Sequence, residues 1–253
     1  MASTSSDTYQ FKTEDERNHA VVSMRSYLQN KQEQIKFFEQ QLGPYLTHSA
    51  ELRVLDACCG IGDLTYFLSQ MAPQSTFVGI DRAGFLLEEA RQNLQDNQNA
   101  SFSEIDVRSL TSKFPSKYFD ITVCKQTLSW LPEYAEVVEQ MMAVTKKAIF
   151  ISSLFYDGRI DFNIRVREHV TENGKHDYNA FYNVYSFPVF RDFCLARGAK
   201  EVTGVDFDIN IDLPRPDNLD RMGTFTERLE SGKRLQISGA LLMPWKIVRI
   251  DLE

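Results

Sequence analysis

The stretch LRVLDACCGIGDLTYFL, residues 52–68, decides the fold. Its first half is a short apolar run that predicts a strand, and Leu64, Phe67 and Leu68 have the spacing of one helix face. Gly60 and Gly62 lie between the two. A glycine loop that joins a strand to a helix lets the backbone approach a ligand, which the free amides of the helix can then bind. The stretch therefore predicts a ligand site at the end of a strand.

Composition places the chain among globular proteins. It has 253 residues, of which 43% are apolar, and a formal net charge of -7. This size predicts one main domain with insertions, and the acidic balance disfavours nucleic acid as a partner. No apolar run approaches the roughly 20 residues of a membrane span, and the first eight residues do not resemble a secretory signal. We therefore expect no membrane partner and a cytoplasmic location.

The four cysteines do not form a metal site by their spacing. Cys58, Cys59, Cys124 and Cys194 contain no CxxC pair and no histidine at ligand spacing. We therefore expect no metal. The adjacent Cys58 and Cys59 are interpreted as small packing groups, with thiol chemistry as the alternative.

Apolar runs alternate with amphipathic runs between residues 46 and 153, which predicts a doubly wound α/β fold with helices on both faces of a largely parallel sheet. Residues 1–45 are predicted to be an N-terminal helical appendage or lid, and residues 46–253 the main domain. Within the latter, residues 154–186 lose the regular rhythm and are interpreted as an insertion. Residues 224–239 have the pattern of a hairpin.

Asp81 follows Gly62 by 19 residues, at the end of the next predicted strand. A carboxylate at this place can accept hydrogen bonds from both hydroxyls of a ribose, so the loop and Asp81 together indicate a nucleoside site. A nicotinamide dinucleotide fold favours G-x-G-x-x-G, but Thr65 stands at the third glycine position. This departure weakens the dinucleotide interpretation.

The sequence Asp56-Ala57-Cys58-Cys59-Gly60-Ile61-Gly62 resembles motif I of the class I S-adenosylmethionine-dependent methyltransferases, with Cys58 at the first glycine position. The resemblance covers residues 52–153. It includes Asp81 in VGIDRAGFLLEEAR, Asp106 in FSEIDVRSL and the stretch FDITVCKQTLSWL. It implies a Rossmann-like sheet of seven strands, mostly parallel with the last antiparallel, and S-adenosylmethionine as cofactor. The residues that it implies for cofactor binding are Asp56, Cys58, Gly60, Gly62, Asp81, Arg82, Asp106, Val107 and Lys125.

Candidates for the acceptor side come from the stretch after Lys125 and from the insertion. The predicted substrate-binding residues are Gln126, Trp130, Tyr178 and Tyr185, and the candidate catalytic residues are His169 and Tyr182. Each has an ordinary structural alternative, such as packing for Trp130. Aromatic faces beside mobile polar groups suit a lid over a polar small molecule, for example a sugar ring, methylated on oxygen or nitrogen.

Three functions fit these patterns. The first is a small-molecule methyltransferase, acting as a monomer or a homodimer. The second is a protein or RNA methyltransferase, although the order N/D-P-P-Y/F of enzymes that methylate flipped DNA bases is absent after residue 124. The third is a partner subunit that has the fold without catalysis. Intact Gly60, Gly62 and Asp81 favour the first.

Overall fold

The computed structural model describes residues 14–168, 178–217, 219 and 222–253. The helices are α1 (Glu14–Gln29), α2 (Glu33–Leu42), α3 (Asp63–Met71), α4 (Gly84–Asn93), α5 (Leu110–Lys113), α6 (Ala135–Val144) and α7 (Phe187–Ala196). The strands are β1 (Arg53–Ala57), β2 (Thr76–Asp81), β3 (Ala100–Glu104), β4 (Phe119–Lys125), β5 (Thr145–Tyr156), β6 (Arg165–Glu168), β7 (Tyr178–Phe181), β8 (Tyr185–Ser186), β9 (Glu201–Asp206), β10 (Thr224–Arg228), β11 (Arg234–Ser238), β12 (Leu241–Leu242) and β13 (Trp245–Asp251).

The central sheet has the order β3-β2-β1-β4-β5-β13-β9, and β8 adds a short parallel pairing to β5. β1 to β5 run parallel, and β13 is antiparallel to both β5 and β9. The predicted Rossmann-like fold with a final antiparallel strand is confirmed. The strand order reverses between β1 and β4, and ligands of such sheets bind outside the carboxyl ends of the strands at this reversal. The loops after β1 and β4 therefore border the candidate site.

The sheet is buried because helices cover both of its faces. On one face, α6 and α7 pack Val138, Met141 and Phe190 against the sheet, each 0% exposed. On the other face, α3 contributes Leu64 and Leu68. Strands covered on both sides need apolar residues almost continuously, as β5 has from Ala148 to Phe155.

Helix α2 belongs to this second face. Its residues Ile35, Phe38 and Leu42 are 0% exposed and pack in one cluster with α3 and the sheet. Helix α2, which lies in the predicted appendage of residues 1–45, therefore packs in the core of the main domain. Burying these three side chains stabilises the fold by about 5 to 8 kcal/mol before entropy is counted.

The predicted insertion at residues 154–186 begins inside β5, which continues to Tyr156. Within it, β6 and β7 form an antiparallel hairpin, and β8 pairs with β5. A small cluster apart from the two faces of the sheet consists of Leu154, Tyr182, Val184 and Met243, with Trp130 packed against them. β10 and β11 pair antiparallel in the stretch that the sequence predicts as a hairpin, and β12 joins them.

The part of the chain that the structure describes has no helix with the length and hydropathy that crossing a bilayer requires.

Candidate functional site

The loop between β1 and α3 is held in a left-handed backbone conformation. The φ angles of Cys58, Gly60 and Gly62 are 62°, 55° and 75°. Gly62 directly precedes α3, and its amide donates to the Cys59 carbonyl at 2.9 Å. Among the described residues, a Cβ on Gly60 would meet only the Met24 sulfur, at 3.8 Å, so the space beside Gly60 is nearly open there. A cofactor can therefore approach the backbone at Gly60.

Asp81 connects the end of β2 to this loop. Its carboxylate accepts from the Gly60 amide at 3.1 Å and from the Ala83 amide at 2.9 Å. Burial raises the pKa of Asp81, although these amides favour the charged form. A carboxylate has about four lone-pair sites, so Asp81 can accept further hydrogen bonds. The geometry suits an acceptor for ribose hydroxyls.

Asp106 lies beyond the next strand, β3. It caps the 3₁₀ turn Val107–Ser109 by accepting from the Arg108 amide at 2.9 Å, and it also accepts from the Arg108 guanidinium. These contacts lower the pKa of Asp106, with the guanidinium as the main cause. The Ile105 amide donates to the Asp81 carbonyl at 3.0 Å, which joins this turn to the end of β2. The sequence did not indicate Arg108 as the partner of Asp106.

Asp56 is oriented differently from Asp81 and Asp106. It is 1% exposed and accepts from the Thr65 hydroxyl at 2.7 Å. Burial raises its pKa to about 7, and the Thr65 hydrogen bond opposes this rise. The contact joins β1 to α3 beneath the loop. The Thr65 that replaces the third glycine of a dinucleotide loop therefore holds the carboxylate of motif I.

Cys58 contacts Cys124 on the neighbouring strand. A hydrogen bond between the two thiols is the main cause of a Cys58 pKa well above its usual value, and burial adds to it. Burial likewise raises the pKa of Cys59 well above its usual value. Both residues are free thiols. Groups so hard to ionise are poor nucleophiles at neutral pH.

Lys125, at the end of β4, forms an ion pair with Asp63, the first residue of α3. Its ammonium also donates to the Gln32 side-chain oxygen at 3.2 Å and lies 5.8 Å from the centre of the Tyr27 ring. Burial raises the pKa of Tyr27, and the Asp63 charge raises it further. The sequence did not indicate Asp63, Gln32 or Tyr27, because they lie 62 to 98 residues from Lys125.

Gln126 has a strained backbone, with φ at 57°. Its amide donates to the carbonyl and to the hydroxyl of Ser152, at 3.1 and 2.9 Å. The Ser152 hydroxyl in turn donates to the side-chain oxygen of Gln34 on α2, at 3.2 Å. Residues held in sparsely populated conformations cluster at active sites. The Gln34 and Ser152 contacts thus join helix α2 to the loop that follows β4.

The other residues that the sequence predicts for the acceptor side separate into two groups. Trp130 and Tyr182 pack together, with ring centres 4.7 Å apart. The Tyr185 hydroxyl donates to the carbonyls of Leu128 and Leu131 and is buried in the main core. His169 lies outside the described residues. For Tyr178 only the backbone, in β7, is described.

Helix α1 covers the loop from the other side. Met24 approaches Gly60, and Arg25 donates to both carboxylate oxygens of Glu89 on α4 at 2.7 to 2.9 Å. Arg17 lies 5.7 Å from the centre of the Phe85 ring. The site is therefore bordered by the glycine loop, the ends of β2 and β4, and α1. Within the described ranges, no cluster of three or more His, Cys, Asp or Glu side chains could hold a metal ion.

A methyltransferase-domain family model matches residues 48–187, more than half of the chain. The chain belongs to the class I S-adenosylmethionine-dependent methyltransferase family. A similar curated relative is the demethylmenaquinone methyltransferase of Geobacillus sp., 26% identical over 52% of this chain and 53% of the relative. Another is the malonyl-[acyl-carrier protein] O-methyltransferase of Halalkalibacterium halodurans, 27% identical over 46% and 45%. The chain thus spans about half the length of these relatives.

Solved structures confirm that this methyltransferase has the fold of its family. The magnesium protoporphyrin IX methyltransferase of Synechocystis PCC 6803, solved with S-adenosylhomocysteine bound, has a TM-score of 0.53 at 15% identity over 87% of this chain and 82% of its own. A putative methyltransferase of Haloferax volcanii, solved with an activator, has a TM-score of 0.61 at 14% identity, over 94% and 96%. At these identities the likeness establishes the fold alone.

Proposed function

We propose that this methyltransferase transfers a methyl group from S-adenosylmethionine to a polar small molecule. The observation that carries the proposal is the open left-handed loop at Gly60, joined directly to the partly exposed carboxylate of Asp81. The bound cofactor would supply an electrophilic methyl group on a sulfonium. The protein has to hold an acceptor atom about 3 Å from that methyl, in line with the sulfur, and much of the rate comes from this positioning.

Each cofactor residue has a distinct role in this proposal. Asp81 accepts from the ribose, while Asp106 and Val107 meet the adenine edge, with Arg82 beside them. Gly60, Gly62 and Cys58 shape the loop that leaves room for the amino-acid end. Asp56 holds that loop through Thr65 and acts as a positioning residue, since its carboxylate is directed at α3. Lys125, which forms an ion pair with Asp63 at the start of α3, is proposed to contact the cofactor beside the same loop.

Gln126, Trp130 and Tyr182 are proposed to contact the acceptor. Gln126 follows β4, the strand at the reversal of the sheet, and Trp130 packs on Tyr182. Burial raises the pKa of Tyr182, so its hydroxyl stays protonated and serves as a donor rather than a base. Tyr185 supports this loop through its carbonyl contacts. Roles for His169 as a base and Tyr178 as an acceptor contact remain proposals, as do a cytoplasmic location and a monomer or homodimer.

Calorimetry with S-adenosylhomocysteine and NAD tests the cofactor. We expect binding of S-adenosylhomocysteine alone. Asp81→Ala should weaken it by about 2 to 4 kcal/mol, because hydrogen bonds to a charged acceptor are the stronger kind. Asp96→Ala, which removes an exposed carboxylate after α4, is the matched control and should change nothing. Binding of NAD without binding of S-adenosylhomocysteine would overturn the proposal.

A further inference from the structure

Strand β9 forms one edge of the central sheet and pairs with β13 in one unbroken register. The Phe207 amide donates to the Trp245 carbonyl at 3.0 Å, in the same register as this ladder. Hydrogen-bonded pairs alternate along an antiparallel ladder, so the odd-numbered residues of β9 bond to β13. The even-numbered residues therefore direct their backbone N–H and C=O groups outward, and no described residue pairs with them there. These residues are Val202, Gly204 and Asp206.

This edge lacks the features that commonly protect a free strand, which are proline, lysine, a bulge or a covering segment. β9 contains neither proline nor lysine, and Val205 in it is 40% exposed. Lys246 forms ion pairs with both Asp157 and Asp206, which brings the loop after β5 beside the end of β9. Ile160 in that loop is 56% exposed. A free edge with apolar surface beside it suits a partner strand.

The strand can pair with a second copy of itself. Outward-facing residues of one strand have to lie opposite outward-facing residues of the other, and Gly204 is the middle one of this set. An antiparallel register centred on Gly204 therefore gives every outward N–H and C=O group of β9 a partner. Both copies present the same strand in this arrangement, so the interface has two-fold symmetry and is closed.

The side chains of β9 fit this register. Gly204 meets Gly204 of the second copy, and the Phe187 ring of the same chain lies where a Cβ would be, at 2.9 Å. Thr203 lies opposite Val205 in a non-hydrogen-bonded pair, where side chains approach most closely. Such β-branched pairs stabilise sheets, and this one would cover the exposed Val205.

The charges at the two ends of the strand complement each other. Lys200 and Asp208 are exposed and flank β9 on its two sides. The centred register places Lys200 opposite Asp208 of the second copy, and the symmetry forms this pair at both ends. Within one chain the two residues are separated by the length of β9, roughly 26 Å, so they attract each other only between copies.

Like charges do not meet directly in this register. Glu201 lies opposite Phe207 of the second copy, and Asp206 lies opposite Val202. Like charges directly opposite each other destabilise a strand pair, whereas opposite charges stabilise it. The sequence around Gly204 thus favours a second copy of this chain over a strand of unrelated charge.

We propose that the chain forms a homodimer in which β9 pairs antiparallel with β9 of a second copy, about a two-fold axis at Gly204. The two central sheets then become one continuous sheet. Phe187 begins α7 and covers Gly204, so both copies of α7 lie on the same face. β9 is separated from the glycine loop after β1 by β4, β5 and β13. Dimerisation therefore does not depend on cofactor binding or on the proposed methyl transfer.

Analytical ultracentrifugation of the full chain over a dilution series tests the dimer. We expect the wild type to be dimeric at about 100 µM and to dissociate on dilution. Lys200→Asp places two carboxylates opposite each other at both ends of the pairing, and Asp208→Lys places two ammonium groups there. Each change should raise the dissociation constant of the dimer about tenfold or more.

Reversing both charges provides the decisive variant. The double change Lys200→Asp with Asp208→Lys restores opposite charges between copies, so its dissociation constant should lie within about threefold of the wild type. An equimolar mixture of the two single variants should also dimerise, because each carries the charge that the other lacks. Lys233→Asp, in the turn between β10 and β11, makes the same charge change away from β9 and should have no effect. Circular dichroism checks that each variant is folded.

Amide exchange measured by NMR locates the contact. The outward amides of Val202, Gly204 and Asp206 should exchange more slowly at high protein concentration than at low concentration. The amides of Thr203 and Val205 already bond to β13 and should change less.

Three results would overturn the proposal. The first is a wild type that stays monomeric at about 100 µM. The second is a dimer of unchanged affinity in both single variants, which would form through another surface. The third is a dimer that the single variants weaken but that neither the double variant nor the mixture restores, since the register centred on Gly204 would then be wrong.

Discussion

At the scale of single residues, Cys58 has a conformation that glycine adopts without cost. Its φ of 62° lies in the left-handed region, which costs a residue with a Cβ roughly 1 to 2 kcal/mol. Cys58→Gly removes this strain and also the contact with Cys124. We therefore expect unchanged S-adenosylhomocysteine binding and a stability within about 1 kcal/mol of the wild type.

Cys58→Leu is the contrasting variant, because a larger side chain in the same turn has to displace the loop or Cys124. It should lose cofactor binding while remaining folded. Calorimetry and thermal unfolding measure both variants. A Cys58→Gly protein that binds cofactor but transfers no methyl group would show that the thiol takes part in the chemistry.

Asp56 gives the stability of the protein a pH dependence. Its folded pKa of about 7 lies above its ordinary value, so the folded state binds more protons than the unfolded state between these two values. Stability contributed by the protonated form is therefore complete at low pH and is lost as the pH rises to about 7. The slope is at most about 1.4 kcal/mol per pH unit.

Asp56→Asn should remove this slope, because an amide does not titrate. Urea unfolding at pH 5 and pH 7.5 measures this slope. The free energy of unfolding of Asp56→Asn minus that of the wild type should be larger at pH 7.5 than at pH 5. Asp120→Asn is the comparison variant, because Asp120 lies in β4 and its side chain is more exposed than that of Asp56. Equal pH profiles for wild type and Asp56→Asn would show that Asp56 is already ionised in the folded protein.

At the scale of helices and strands, the sequence was sufficient wherever one period dominates. The alternation between residues 52 and 153 predicted β1 to β5 and their helices, because strands buried on both faces need near-continuous apolar runs. The apolar spacing of α2 predicted a helix, but not that Ile35, Phe38 and Leu42 would enter the main core. Such spacing defines an apolar face without defining what it packs against.

The insertion and the acceptor side were less predictable. β6 carries charged residues such as Arg165 and Arg167, and β7 has only four residues, so the pattern of a half-buried strand is weak in both. Lys125 was identified through the family resemblance, but its partner Asp63 was not. A contact across 62 positions depends on the crossover from α3 to β4, and local sequence does not encode that distance.

At the scale of the whole molecule, the candidate cofactor site lies between the central sheet and helix α1. In α2 the core residues Ile35 and Phe38 are fully buried, whereas Val22 of α1 is 65% exposed. The described contacts of α1 with the domain include Met24 at Gly60 and the Arg25–Glu89 ion pair. An ion pair of this exposure contributes at most about 1 kcal/mol. We therefore expect helix α1 to be less stable than helix α2 and the sheet.

Hydrogen exchange measures this difference in stability. Without ligand, the amides of α1 should exchange faster than those of α2, since local opening costs less where few apolar groups are buried. S-adenosylhomocysteine should slow exchange in the half of α1 that contains Met24, because a ligand beside Gly60 would lie under that residue. Exchange in β11, outside the central sheet, should not change and serves as the internal reference. The Asp81→Ala variant at the same ligand concentration should show little protection of α1. If a saturating ligand left α1 exchange unchanged in the wild type, α1 would not cover the cofactor, and the entry path would lie elsewhere.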